Sequence, residues 1–177
     1  MDKILLLSAT DYEHNSKEIR GVPIHLTGIG KINAAINTTR LILEHRPDIV
    51  INFGSCGNLK DFELGEVLEV STVINDIDTK GFYIPEELYL PGGEVKCLTT
   101  DHMYDPSDNH LDSYKDKIKE CDIVDMELYS IAESCFSAGI IVYSYKWVSD
   151  DGSQDQWLKY AKIGFESFKD KLTQFGI

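Results

Sequence analysis

The chain has 177 residues, 42% of them hydrophobic and 27% charged, a composition that excludes a disordered protein and predicts one globular domain over residues 1–177. Its net charge of -13 repels phosphate backbones and anionic lipid, so we expect neither nucleic acid nor a membrane as a partner. The four cysteines have no C-x-x-C spacing, and the early apolar run at 4–7 is too short for a signal peptide, which together favour a reduced protein of the cytoplasm.

In chain order, the apolar pattern predicts alternating strands and helices. Strands are predicted at 4–7, 22–27, 48–53, 67–74, 94–98 and 140–148, and helices at 31–45, 114–120, 126–138 and 155–175. Pro47 ends the first long helix, and Gly139 is a suitable cap for the helix before it. The alternation is typical of the α/β class with a mainly parallel sheet.

A first glycine-rich motif, Gly28-Ile29-Gly30, joins the second strand to the first helix. It is not a dinucleotide fingerprint, because Asn33 stands at the third glycine position, and it is not a P-loop, because His25 stands at the first. A simple strand-to-helix turn is at least as well supported as a role in ligand binding.

A second motif, Gly54-Ser55-Cys56-Gly57, follows the most apolar strand, which we predict to end at Phe53. Its two glycines would let the backbone approach a ligand, and ligands of open α/β sheets bind beyond the carboxyl ends of strands. A structural turn and a ligand loop are equally good interpretations. No His and acid pattern accompanies Cys56, which favours a packed thiol over a nucleophile.

Two acidic motifs stand at element ends. Asp125 and Glu127 enter an apolar helix, where a dipole interaction accounts for Asp125 better than for Glu127. Ser149 and Asp150 follow an apolar strand, and either could simply cap a short helix. The five histidines have no metal-ligand spacing, so we predict no metal and no cofactor.

In this order, the segments TGIGKINAA, PDIVINFGSCGNL, VDMELYSIAESC and VSDD resemble the nucleoside phosphorylase superfamily, and within it the methylthioadenosine/S-adenosylhomocysteine nucleosidases. The stretches ATDYE and TTDHM extend the likeness. The resemblance implies a trimmed three-layer α/β fold, with a mixed, mainly parallel sheet flanked by helices. It also implies a nucleoside site at the carboxyl edge of that sheet.

The resemblance further implies roles for individual residues. The acid that contacts the purine falls on Asp150, with Ser149 beside it, and the base that activates water falls on Glu13. The acid that binds the ribose hydroxyls falls on Glu127, with Met126 packing on the sugar.

Other positions fall in the ligand loop or against the base. Ser55, Cys56 and Gly57 belong to the loop, while Met103 replaces a residue that packs on the purine. The chain is shorter than the family, so we expect a hairpin to be missing between residues 13 and 22 and a helix-bearing segment to be missing between 78 and 97. Lys146 stands where an Arg is common.

The chemistry of N-ribosidic cleavage agrees with these roles. The reaction develops positive charge on the ribose and negative charge on the purine, so it needs an acid at the base and a carboxylate for the attacking water. Asp150 and Glu13 lie at the ends of different strands and could face each other across a ligand. The two oxygens of Glu127 can accept from two vicinal hydroxyls.

We therefore expect a purine nucleosidase acting on a small-molecule purine nucleoside. A phosphorylase is less favoured because Asn52-Phe53 precedes the ligand loop where phosphorylases place an Arg, and Lys31 and Arg40 lie elsewhere in the motif order. A non-catalytic nucleoside-binding protein and an unrelated α/β domain are also compatible with the sequence. We further expect a homodimer or larger assembly that buries the aromatic segment at 81–84.

Overall fold

The computed structural model describes residues 2–77, 85–107 and 114–177. Within these ranges the strands are β1 (Ile4–Ser8), β2 (Glu18–Ile19), β3 (Val22–Leu26), β4 (Ile49–Asn58), β5 (Val67–Asn75), β6 (Glu87–Tyr89), β7 (Val95–Thr99), β8 (Ile123–Asp125) and β9 (Ile141–Asp150). The helices are α1 (Lys31–His45), α2 (Lys115–Glu120), α3 (Leu128–Ser137), α4 (Gln154–Tyr160) and α5 (Phe165–Lys171), with 3₁₀ turns at Asp11–Glu13 and Leu172–Phe175.

The strands form one mixed sheet, part of which closes on itself. The order is β2-β3-β1-β4-β8-β7-β5-β6, and β9 pairs with both β4 and β5. Strands β4, β8, β7, β5 and β9 therefore make a closed ring. Pairing is parallel for β1 with β3 and β4, for β4 with β9, and for β7 with β5 and β8; the remaining pairs are antiparallel. The predicted α/β class with a mixed, mainly parallel sheet is confirmed.

Helices cover both faces of this sheet because side chains alternate along each strand. Leu5 and Leu7 belong to the core that α1 and α3 cover, whereas Leu6 belongs to the core that α5 covers. In the second core the rings of Phe53 and Phe168 stack with centroids 4.5 Å apart. None of the helices in the described ranges has the length and apolar composition needed to cross a membrane.

The structure differs from the prediction at the second glycine motif. The strand does not end at Phe53, because β4 continues through Gly54–Asn58 and stays paired with β9, Ser55 opposite Trp147. A register irregularity between Cys56 and Gly57 shifts the pairing with β9, and Gly57 lies opposite both Asp150 of β9 and Val124 of β8. The motif is therefore a strand rather than a loop.

The predicted closing helix at 155–175 is also wrong, since it is divided into α4, α5 and a 3₁₀ turn. The indole Nε1 of Trp147 donates to the carbonyl oxygen of Ala161 at 2.7 Å and so occupies a helix acceptor. A Cβ at residue 164 would lie 2.3 Å from the Trp147 side chain, so only glycine fits where the backbone passes Trp147. The large buried Trp147 thus separates α4 from α5.

A minimal hairpin occupies the region between residues 13 and 22, where the sequence predicted a missing one. β2 pairs antiparallel with β3, and the turn between them has positive φ at Arg20 (50°) and Gly21 (85°). Such a turn matches the twist of a two-residue hairpin. The aromatic segment 81–84 lies outside the described residues.

Candidate active site

A cavity opens where β4, β8 and β9 end, and most of the predicted site residues line it. Its predicted members are Glu13, Ser55, Cys56, Gly57, Met103, Met126, Glu127 and Asp150. A concave site with a few converging polar groups is typical of small-molecule binding. The cavity places residues that are far apart in the chain around one space.

Glu13 ends the short 3₁₀ turn after β1, and its carboxylate points into the protein, with the residue only 4% exposed. Oε1 accepts from the Ser55 backbone N–H at 2.8 Å and from Ser55 Oγ at 2.7 Å. Oε2 accepts from Ser8 Oγ at 2.8 Å and from the Ala9 N–H at 3.2 Å. All of these groups are donors, so they fix the position of both carboxyl oxygens of Glu13 at the edge of the cavity.

Glu127 precedes α3 and contacts the first glycine motif. Its Oε1 accepts from the Gly30 N–H at 2.8 Å, so the Gly28–Gly30 turn also positions a cavity carboxylate. Burial, with the charge of Asp125, raises the pKa of Glu127 to about 8, although Lys146 and the Gly30 N–H act in the opposite direction. Most of the Glu127 carboxyl group is therefore protonated at pH 7.

Asp150 is the last residue of β9 and is 5% exposed. Burial raises its pKa, although hydrogen bonds from Ser149 and Gly152 lower it. The Ser149 hydroxyl donates to Asp150 Oδ2 at 2.7 Å, and the Gly152 N–H donates to Oδ1 at 3.0 Å. A raised pKa suits a group that protonates a leaving group.

Two predictions at this end of β9 need correction. Ser149, predicted to lie at the ligand, is fully buried and is not among the residues that line the cavity; its hydroxyl donates to Asp150 instead. Neither residue caps the following helix, because the N-cap of α4 is Ser153, whose hydroxyl accepts from the Gln156 N–H.

A buried ion pair lies behind the cavity carboxylates. Lys146 Nζ is 2.8 Å from Asp125 Oδ2, and both side chains are almost fully buried. Burial lowers the pKa of Lys146, but Asp125, Glu127 and Glu13 together raise it above its ordinary value. Asp125 also accepts from the Leu128 N–H at 2.9 Å, the helix-end contact expected from its position. Lys146 is thus a fixed cation among three carboxylates.

Trp157 is the main residue that sequence reasoning missed. It lies on α4, lines the cavity and donates from Nε1 to Ser55 Oγ at 2.9 Å. It falls within the helix predicted at 155–175, and no sequence motif marked it. The other lining residues that were not predicted are Ala9, Thr10, Ile29, Thr100, Tyr104, Val124, Asp125 and Gln154.

Basic residues are absent from the lining of this cavity among the described residues. Lys31 Nζ is held by Asn75 at 3.0 Å and by Asp76, and Arg40 is exposed beside Glu44. Burial raises the pKa of the Cys56 thiol well above its ordinary value, so Cys56 is not a thiolate nucleophile. Within the described ranges, no group of three or more His, Cys, Asp or Glu is arranged to hold a metal.

Known proteins resemble this chain in sequence and in fold. The model of the phosphorylase superfamily matches residues 17–114. The 5'-methylthioadenosine/S-adenosylhomocysteine nucleosidase of Staphylococcus epidermidis is 29% identical over 90% of this chain and 78% of its own length. The enzyme of the same name from an Exiguobacterium species is 30% identical over 83% of this chain and 72% of its own length.

The fold likeness extends over nearly the whole chain. The structure of the 5'-methylthioadenosine/S-adenosylhomocysteine nucleosidase from Colwellia psychrerythraea in complex with adenine superposes with a TM-score of 0.82. Its sequence is 19% identical, and the match covers 99% of this chain and 96% of that one. At this identity the superposition establishes a shared fold.

Proposed function

Because the chain belongs to the phosphorylase superfamily and, within it, to the 5'-methylthioadenosine/S-adenosylhomocysteine nucleosidases, we propose that it hydrolyses the N-ribosidic bond of an adenosine-type nucleoside. Methylthioadenosine and S-adenosylhomocysteine are the expected substrates. One water is consumed, and the products are free adenine and the 5′-substituted ribose.

The observation that carries this proposal is that the carboxyl groups of Glu13 and Asp150 line the same cavity but have different hydrogen-bond partners and burial. Glu13 receives four donors from the chain, which hold both of its carboxyl oxygens in place. Asp150 is buried with a raised pKa, which favours its protonated form. A base and an acid with opposite environments are what hydrolysis of a glycosidic bond requires.

The proposed reaction divides between these groups. Asp150 donates a proton or a hydrogen bond to the departing purine, where negative charge develops. Glu13 takes a proton from the water whose oxygen attacks the anomeric carbon. Glu127 accepts from the two ribose hydroxyls, Met126 packs on the sugar, and Met103 lies against the base.

The charges around the cavity favour water over phosphate as the nucleophile. A phosphate dianion is stabilised in proteins by charge-assisted hydrogen bonds, chiefly from Arg. Among the described residues, the cavity lining offers no Lys or Arg, and the nearby Lys146 is already paired with Asp125.

Chromatographic detection of free base tests this proposal directly. The protein is incubated with methylthioadenosine, S-adenosylhomocysteine or adenosine, with and without phosphate. We expect free adenine and free sugar at a rate that does not depend on phosphate. A sugar phosphate formed only with phosphate would identify a phosphorylase, and binding without release of base over hours would identify a nucleoside-binding protein.

We also propose that the chain forms a homo-oligomer. An apolar stripe at the start and along the outer face of α1 is exposed, with Ile32 at 75%, Ile36 at 61% and Leu43 at 72%. The stripe begins at Ile29, which also lines the cavity, so a second copy covering it would border the site. Exposed apolar patches of this kind mark subunit contacts.

Light scattering tests the assembly. We expect the mass of a dimer or larger ring for the unmodified chain and a lower mass for Ile36→Glu. Leu158→Glu is the matched control, because Leu158 is similarly exposed (54%) but lies on α4. A single-chain mass at all concentrations would contradict the proposal.

A cytoplasmic location is supported by the four free, buried cysteines.

A further inference from the structure

The indole of Trp157 connects helix α4 to the turn that carries the proposed base. Its Nε1 donates to Ser55 Oγ at 2.9 Å, and the same oxygen lies 2.7 Å from Glu13 Oε1. The ring of Trp157 also lies against the ring of Tyr12, with centroids 5.9 Å apart. Trp157 therefore approaches Glu13 both through Ser55 and through the residue next to it.

The chemistry of these groups fixes the direction of the hydrogen bonds. An indole N–H is only a donor, and a serine hydroxyl has one proton and two acceptor positions. Because Ser55 Oγ accepts from Trp157, its own proton is directed to Glu13 Oε1. The two hydrogen bonds therefore run in one direction, from the Trp157 indole to the Ser55 hydroxyl and from that hydroxyl to Glu13 Oε1, which accepts the Ser55 proton.

Helix α4 is held firmly enough to act as a support. At its start, the Ser153 hydroxyl accepts from the Gln156 N–H at 3.3 Å, and Gln156 Oε1 accepts from the Asp151 N–H at 3.0 Å. At its end, Ala161 is held by the Trp147 indole at 2.7 Å. Trp157 lies between these two anchors and is half-buried.

We infer that Trp157 is a positioning residue for hydrolysis, which sets the Ser55 hydroxyl as a donor to Glu13 and thereby keeps the Glu13 carboxyl group correctly oriented. This inference rests on the proposed function of Glu13. Hydrogen bonds in a chain polarise one another, so the indole strengthens the contact that Ser55 makes with the carboxylate. Without the indole N–H, the Ser55 proton can turn away from Glu13.

Kinetics of Trp157→Phe provide the first test, because phenylalanine keeps a ring in the cavity wall but has no N–H. We expect kcat to fall about 3- to 10-fold, the effect of one neutral hydrogen bond, with KM nearly unchanged. Leu158→Ala on the same helix is the control and should change neither quantity.

A double-mutant cycle separates the relay from a general packing effect. In a Ser55→Ala background, Trp157→Phe should reduce kcat by less than about twofold, because the path to Glu13 is already broken. Equal reductions in both backgrounds would overturn the inference. So would an unchanged kcat in the single Trp157→Phe variant, while base release by the unmodified chain would still support the proposed function.

Hydrogen exchange gives a readout that needs no turnover. The chain has two Trp residues, so the indole N–H signals of Trp147 and Trp157 can be assigned from Trp157→Phe alone. In Ser55→Ala we expect the Trp157 indole to exchange about tenfold faster and the Trp147 indole to keep its rate, since Trp147 bonds to Ala161. Unchanged exchange at Trp157 would overturn the relay, whereas a chain that exchanges as expected but releases no base would overturn only the hydrolytic function.

Discussion

The carboxylate of Glu13 occupies the space in which a side chain of Gly54 would lie. A Cβ at residue 54 would be 2.6 Å from Glu13 Oε1 and 2.9 Å from Oε2. Gly54 has no positive φ, so what the strand requires here is room rather than backbone freedom. The glycine next to Ser55 thus makes space for the proposed base.

Substitution Gly54→Ala should therefore displace Glu13. We expect turnover to fall strongly and the free energy of unfolding to fall by about 1–3 kcal/mol, as for other overpacked sites. Denaturant unfolding and the base-release assay measure the two effects. Adding Glu13→Asp, which shortens the acid by one methylene, should restore most of the stability and none of the turnover; a double variant as unstable as Gly54→Ala would contradict this explanation.

The variant Glu13→Gln should retain nucleoside affinity and lose turnover. The amide keeps the size of the side chain but cannot take a proton from water, so its loss is felt in the transition state and not in ground-state binding. Calorimetry with methylthioadenosine and the base-release assay separate the two quantities. Equal losses in affinity and in kcat would make Glu13 a binding residue only.

The variant Asp150→Asn should lower kcat by about 10²–10⁴, the usual effect of removing a positioned general acid. The fold should remain intact, because the amide oxygen still accepts from Ser149 or Gly152. Asp151→Asn is the matched control, since Asp151 is adjacent in sequence but exposed. Near-normal turnover of Asp150→Asn would remove this residue from the mechanism.

The raised pKa of Glu127 predicts that riboside affinity depends on pH. Burial holds the pKa near 8, so most of the group is protonated at pH 7 and ionised at pH 9. Because the ionised form accepts from both ribose hydroxyls, affinity should rise about tenfold from pH 7 to pH 9. Calorimetry on the Glu13→Gln variant measures riboside affinity at each pH without turnover of the ligand.

The 2′-deoxy analogue is the control for this pH effect. It lacks one of the hydroxyls, so it should bind more weakly and respond less to pH. The folding stability should change in the opposite sense: a carboxyl with a raised folded pKa holds its proton longer in the folded state, so its contribution falls as pH rises from about 4.5 through about 8. A flat affinity profile for the riboside would contradict the role of Glu127.

The buried Lys146–Asp125 pair should contribute to stability as well as to the charge of the site. Lys146→Met leaves Asp125 buried without its cation, a change that costs about 3–5 kcal/mol when one partner of a buried pair is removed. Lys169→Met is the control, because Lys169 pairs with Glu166 at the surface and should cost less than about 1 kcal/mol. Urea unfolding measures the free energy of unfolding of both variants. Equal losses in the two would argue against a stabilising role for the buried Lys146–Asp125 pair.

The elements that could be predicted from sequence are those with local signals. Helix α1 has the predicted limits because its periodicity and Pro47 are local features. The strand through Gly54–Asn58 was missed because two glycines favour a turn, and only pairing with the distant β9 keeps the segment extended. The division of the last helix depends on Trp147, which no local pattern reveals.

The same limit applies to the site. Glu13, Glu127 and Asp150 were found through a family resemblance, and their roles stay predictions until the variants are measured. The contact between Trp157 and Ser55 joins residues 102 positions apart, and neither residue carries a local signal for the other. The position of Ser149 outside the cavity lining could not be predicted from its adjacency to Asp150, because alternate residues of a strand face opposite sides.

Strand β9 is the only one of the described strands that pairs with both β4 and β5, and it comes late in the chain. During synthesis, a nascent chain that ends before β9 has already made β4 and β5 but leaves each with an unpaired edge. Such edges promote aggregation between chains. Since β9 also delivers Asp150, protection from aggregation and assembly of the cavity occur in the same step of folding.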